Sequence, residues 1–409
     1  MTTDGAANER LAASSIVNEN NDLHCAAHNI QLVIDDQLNS KKANPQPLCA
    51  RHREVVRKAH DLVVYVNGHR DVHSAWHKLA VVKRSTEAGA RMFDSLVLDV
   101  ETRWDSELAL LERLVYFDEE LLALFRMADI EIPADMLLSE FEFDLAYAMT
   151  LVLGPFRVFT KYVQKREEVT LAYLPHYIDS LVSLLAPGSF RARLENAADG
   201  VLQAMEDFQL CLVTSIRNRF DCLFNGDSLA LAAMYLLPGA NLFQFENFEV
   251  SDEVVEIVIE NLLNDLDEFV PAHTPQKAKM LNRAMAAYAL EVARKTLDDV
   301  DDSVDPLVWW PSQPNFSCLY PIAKMLFGIP ASSAENERSF SSASFTLDQR
   351  RTRLAIENFS REHRLRRYIC SGAPSDTSVG RALRAERAES LMRRYSDALA
   401  ALRCEVRKQ

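Results

Sequence analysis

The sequence predicts a mainly α-helical protein, and three observations lead there. Between Asp105 and Thr296 the apolar residues recur at helical spacing, and no long stretch alternates apolar with polar as a half-buried strand would. Only 11 Gly and 15 Pro occur in 409 residues, too few for a loop-rich all-β chain. The composition, 48% hydrophobic and 25% charged, is that of a globular chain long enough for a sizeable core and two or three domains.

Charge and cysteine usage narrow the setting. A freestanding nucleic-acid binder usually carries a basic footprint. Here the net charge is −14, with acid concentrated in Glu246–Glu268 and Leu297–Asp305, whereas Arg350–Lys408 is rich in Arg. The balance therefore neither requires nor excludes DNA. The seven Cys are scattered, odd in number and without a CxxC pair, which suits a reducing compartment rather than a disulfide framework. No signal-peptide pattern precedes Asp4 and no apolar run is long enough to span a bilayer, so no membrane partner is expected.

Along the chain, Asp4 precedes the small residues Gly5, Ala6 and Ala7, which fits a turn leaving a strand or an N-cap at a frayed end. Cys25, His28, Ile30, Leu32, Val33 and Leu38 follow at helical spacing. Cys25 and His28 can face one metal, but CxxH is half of a tetrahedral zinc site and no second half stands nearby. Packing of a buried Cys and His is the expectation. From Pro45 to Lys83 a polar helical stretch carries five His, of which His69, His73 and His77 lie at i, i+4 and i+8 on one face. Such a ladder can chelate metal, but no carboxylate or Cys completes it, so a solvated or packed face is the expectation.

Leu96–Val100 is apolar and partly β-branched, and Arg103 and Trp104 follow. An aromatic beside an Arg can stack on an extruded base and hold a phosphate. Alternatively, Trp104 is buried at a helix start with Asp105 or Ser106 as cap. Leu108–Met127 is an amphipathic helix with Leu108, Leu111, Leu114, Val115, Leu121, Leu122 and Phe125 as its stripe. Leu145–Val163 is another, with a break predicted at Gly154-Pro155, and Val201–Phe224 and Leu229–Leu237 continue the array. The acidic run before Pro306 lacks the Gly and terminal Glu of an EF-hand loop and reads as a solvated linker. Paired Trp309 and Trp310 open an apolar run, Leu319–Ile329, which a Gly-Ile-Pro break closes. Ser333 then stands as an N-cap, with Glu335 and Glu337 in the first turns beyond it. Arg381–Arg407 is a basic helical tail.

The order of these blocks resembles hAT-family DNA transposases. WWPS at 309–312, PIAKMLFGIPASSAENERSFSSAS and RRTRLAIENF resemble the family's C-terminal dimerisation region. Its pattern P-x-S-S-x-x-x-E-R-x-F-S lands on Pro330, Ser332, Ser333, Glu337, Arg338, Phe340 and Ser341. Thr3–Asn8 resembles T-D-N-A-x-N, with Gly5 in place of Asn. Cys25, Ala27, His28 and Leu32 match C-x-A-H-x-x-x-L, and Asp99–Ser106 matches D-V-x-T-R-W-x-S. Leu237 and Gly239 stand where the family has Asp and Arg.

The resemblance spans Thr3 to Ile369 and carries a set of expectations. It implies a large helical insertion domain on an incomplete RNase H-like α/β core. The core remnant would occupy residues 1–40 and the insertion 41–296. An acidic linker at 297–308, a dimerisation region at 309–372 completing the core, and an Arg-rich tail at 373–409 would follow. The family cuts DNA with three carboxylates that hold two divalent cations, usually Mg²⁺. By resemblance, Asp4 and Glu337 are the second and third of these, both metal ligands. Arg103 and Trp104 would contact DNA, and Trp309, Trp310, Leu319, Ile322, Phe340 and Phe359 would serve dimerisation.

The first carboxylate should precede Asp4 by several tens of residues, so the expectation is an N-terminally truncated or domesticated derivative, inactive alone. It would be nuclear, self-associate as a homodimer or higher oligomer, and retain contact with DNA. Glu362, His363, Arg364, Arg366 and Arg367 replace apolar residues of the family's next helix, which predicts weak pairing there or a different face. Two alternatives stand beside this reading. One is an active transposase or nuclease whose D-D-E site is completed by a missing N-terminal segment or another chain. The other is a helical scaffold with no nucleic-acid role.

Overall fold

A computed structural model of the chain describes residues 23–39, 46–86, 95–100, 104–165, 168–225, 229–238, 305–317 and 319–334, the pair 2–3, and positions 93, 245, 247, 284, 287 and 288. The chain divides into two compact units, Met1–Ser333 and Ala334–Gln409, and the described residues fall almost wholly in the first. The division comes at Ser333, inside the block 309–372. That first unit is mainly helical, as the periodicity predicts. Among the described residues the strands are a two-residue parallel pair, β1 (Thr2–Thr3) beside β2 (Leu23–His24). Among the described residues this pair does not amount to the expected α/β sheet of an RNase H-like core.

Twelve helices can be followed among the described residues. The first three are α1 (Ala26–Leu38), α2 (Ala50–Gly68) and α3 (Arg70–Thr86). α1 buries Ile30, Val33 and Leu38, which the sequence reading named, and also Ile34, which it did not, while Leu32 is half-buried. The single helix predicted over 108–127 is two, α4 (Trp104–Tyr116) and α5 (Asp118–Phe125). Phe117 leaves helical geometry at φ −107°, ψ 22° and turns fully inward, edge-on to Trp76 with ring centroids 5.0 Å apart. Asp118, Glu119 and Glu120 then restart the helix at its electropositive end.

α6 (Glu140–Val163) is the hub, packing on α1, α2 and α4 and on the two helices after it. Ser139 and Glu142 form a reciprocal capping box at its start. The break predicted at Gly154-Pro155 does not occur. Pro155 removes one backbone donor, but Val152, Leu153, Phe156 and Phe159 on either side are buried and hold the helix in place.

α7 (Thr170–Leu184), α8 (Val201–Arg219), α9 (Asp221–Phe224) and α10 (Leu229–Tyr235) complete the body. The short α11 (Pro306–Trp309) and α12 (Tyr320–Phe327) come from the late part of the chain. α10 and α12 lie against α7 and against each other, so the late segment enters the same continuous core as the early helices.

Candidate functional site

The late segment 305–333 is the part of the described chain with the most to explain. Asp305 caps α11, its carboxylate accepting from the Leu307 N–H at 2.9 Å, with Pro306 at the first helical position. Trp310 then goes inward and is 1% exposed. Its Nε1–H donates to the Leu236 carbonyl at 3.0 Å, and the Tyr288 hydroxyl donates to the next carbonyl, Leu237, at 3.1 Å. These are carbonyls just past the end of α10, acceptors that a helix leaves without intrahelical donors. The Trp310 and Tyr288 rings stack at 5.3 Å, with Trp309 edge-on to Trp310 and Phe316 edge-on to Tyr288. Burial pushes the Tyr288 hydroxyl well above its usual pKa, which keeps it a neutral donor.

After α12 the chain reaches the start of α1. The Ala26 N–H donates to the Ala331 carbonyl at 2.9 Å, and the Ala331 N–H donates to Thr170 Oγ1 at 3.0 Å. Cys25 Sγ lies 3.4 Å from Ser332 Oγ, accepts the Ser333 N–H at 3.3 Å, and accepts the His28 N–H at 3.5 Å as cap of α1. Residues 307 positions apart in sequence are thus joined in the interior. Two helix starts, α1 and α7, are tied to one strap, Pro330–Ser333. The C-x-A-H and P-x-S-S blocks owe their small polar residues to this junction. Cys25 is buried while His28 is exposed, so they neither pack together nor face one metal.

The expected dimerisation residues divide. Trp310, Leu319 and Ile322 are 1%, 0% and 1% exposed and fill the chain's own core. Their burial is intramolecular because this segment must close the body over α7 and α10. Apolar surface in the segment is offered by Leu307 and Val308, 43% and 68% exposed, beside half-buried Trp309. Phe340 and Phe359 lie outside the described residues, as do Asp4, Glu337 and Arg103. No group of three or more potential metal ligands occurs among the described residues.

Trp104 is 3% exposed at the start of α4, so the indole is packed in the core and not presented to a base. The reason lies in its neighbours. Ser106 Oγ accepts the Val100 N–H at 2.7 Å and donates to the Val100 carbonyl at 3.1 Å. Asp99 Oδ1 is 2.6 Å from His60 Nδ1 on α2, and Asp105 pairs with Arg157 of α6 at 2.6 Å. Asp99 and Ser106, near the two ends of the D-V-x-T-R-W-x-S block, are thus each fixed, and Trp104 is packed inside. Behind it, Glu107 is pushed up to about 8, first by burial and then by the Asp35 and Asp99 charges.

Two residues that build the late seat were not legible as such. Tyr288 carried no motif. Cys25 as a cap could have been found, because a Cys directly before a helical run stands where Ser or Thr would.

Comparison with known families fits this geometry. Residues 289–360 match the model of the hAT family C-terminal dimerisation region. Residues 23–150 match the model of the ZBED1 RNase-like helical domain, which spans α1 to the middle of α6. Together they support an hAT-family, transposase-derived protein. No curated protein matches the chain. The match to a dimerisation region supports self-association, and its described residues up to Ser333, 305–317 and 319–333, are built into the helical body. No helix among the described residues is long and apolar enough to cross a membrane.

Proposed function

We propose that this chain works as a self-associating, transposase-derived protein that brings two copies of its helical body together and does not cut DNA by itself. The observation that carries the reading is the seat of the dimerisation region on the body. Trp310 holds the end of α10, and Ser332 and Ser333 hold the start of α1. A contact made through this region then transmits to the whole helical unit and not to a loose tail. The surface for it centres on Leu307 and Val308, continuous with half-buried Trp309. The protein would act in the nucleus, as hAT-derived proteins do, with DNA contact running through Arg103 rather than through the packed Trp104.

Sedimentation velocity on the full chain at micromolar concentration tests the first part. A dimer or larger species is expected, shifting to monomer in Val308→Asp with unchanged thermal stability. A monomer in the parent protein ends the reading. Incubation with supercoiled DNA and Mg²⁺ or Mn²⁺ tests the second part. No nicking is expected; nicking that Glu337→Gln and Asp4→Asn each abolish would instead establish phosphodiester cleavage that depends on both carboxylates. Salt-sensitive DNA binding lost in Arg103→Ala separates the DNA-contacting protein from a plain helical scaffold.

A further inference from the structure

The histidines of α3 take no part in any of this. α3 is anchored from one side only. Val72, Trp76 and Ala80 are buried, with Trp76 wedged edge-on against Phe117. His73 and His77 lie on the other side, both exposed, one helical turn apart within an unbroken helix. At this spacing the two Cβ atoms are about 5–6 Å apart. That lets one nitrogen of each imidazole reach a common ion at metal–nitrogen distances of about 2.0–2.1 Å.

We propose that His73 and His77 form a two-histidine chelate for a borderline divalent transition-metal ion of the Zn²⁺, Ni²⁺ or Cu²⁺ class. Imidazole ligands favour these ions over Mg²⁺ or Ca²⁺, which take oxygen donors. The helix backbone is fixed by its buried face, so the two Cβ positions are set before the ion arrives and binding has only the two imidazole rotamers to order. Among the described residues no third potential ligand stands with the pair, and the proposal assigns the remaining coordination positions to solvent. The sequence between the histidines is Ser74-Ala75-Trp76. A zinc protease of the H-E-x-x-H type has Glu at the position of Ser74 as its general base. The site is therefore a binding site and not a hydrolytic one.

His69 is a built-in control. It precedes α3 in extended geometry, its ring stacked on Tyr65 at 3.8 Å and its Nδ1 2.9 Å from the Tyr65 carbonyl. The ring is thereby committed to α2, and the proposal leaves it out of the chelate.

Calorimetric titration of the full chain with Ni²⁺ alone tests this, alongside His73→Ala, His77→Ala and His69→Ala. The parent and His69→Ala proteins should bind one more equivalent than the other two, or bind it roughly tenfold more tightly. Ni²⁺ should also raise the melting temperature of the parent and leave that of His73→Ala unmoved. The substituted positions are exposed, and circular dichroism without metal confirms that the fold is kept. Superimposable isotherms for the parent and a His73→Ala/His77→Ala double variant would overturn the proposal. So would a loss on His69→Ala equal to that on His77→Ala.

Discussion

Two seams hold distant parts of this chain together, and they are built in opposite ways. The seam between α4 and α6 is latched by charge at its rim. Arg157 pairs with Asp105 at 2.6 Å and with Glu112 at 2.7 Å, and Asp105 keeps 58% of its side chain in water. The seam between the late segment and the body is latched from inside by Trp310, Tyr288 and the Cys25 junction. An ion pair in water gains little because solvent screens it and two long side chains lose freedom. An indole removed from water with its N–H satisfied gains its full apolar area at no polar cost. The stability of the unit should therefore depend on its last-made strap more than on its ion pairs.

Trp310→Ala is the strongest test of that contrast. It should cost about 3–5 kcal/mol in chemical denaturation, since it opens a cavity and strips the Leu236 carbonyl of its donor. A loss no larger than that of Arg157→Ala would erase the distinction. Cys25→Ala comes next, at about 1–2 kcal/mol, because the α1 cap and the acceptor for the Ser333 N–H go together. Cys25→Ser should recover most of it, since a hydroxyl accepts from the same donors.

Glu107 gives a smaller effect with a defined sign. Its carboxyl is raised to about 8 in the folded chain, against 4.5 for an ordinary Glu. The stability linked to its proton is complete below pH 4.5 and is lost as pH rises through 8. Glu107→Gln should leave the melting temperature unchanged at pH 4 and raise it at pH 8.5. A shift of the same size at both pH values would show that the side chain acts through shape and not charge. Arg157→Ala should change stability least, by less than about 1 kcal/mol.

The helical class and the core faces of α1, α4, α6 and α8 were open to reading because each alternates buried and exposed positions at a helical period. Boundaries failed where tertiary packing outweighed local signals. Phe117 splits a helix because the core wants its ring, and Pro155 fails to end one because its neighbours are buried. Trp104 and Trp310 carry the same residue type in family-like blocks, and both are interior. Sequence alone could not tell a packed tryptophan from one offered to a base or to a partner, since either leaves the same letters. The strap at Ser332 and Ser333 was legible only as a motif. Its purpose depends on Cys25, and no local rule links positions so far apart.

The junction between Cys25 and Ser333 also sets an order of events during synthesis. The amide of Ala26 awaits the carbonyl of Ala331. As the chain leaves the ribosome, that amide has only water as a partner until some three hundred further residues have been made. Closing so long a loop is a slow step in folding, and until it closes the apolar surface of α7 and α10 that α12 covers is open to solvent. A nascent chain in that condition is a natural client for chaperones, and a chain ending before Trp310 would leave the body without its strap.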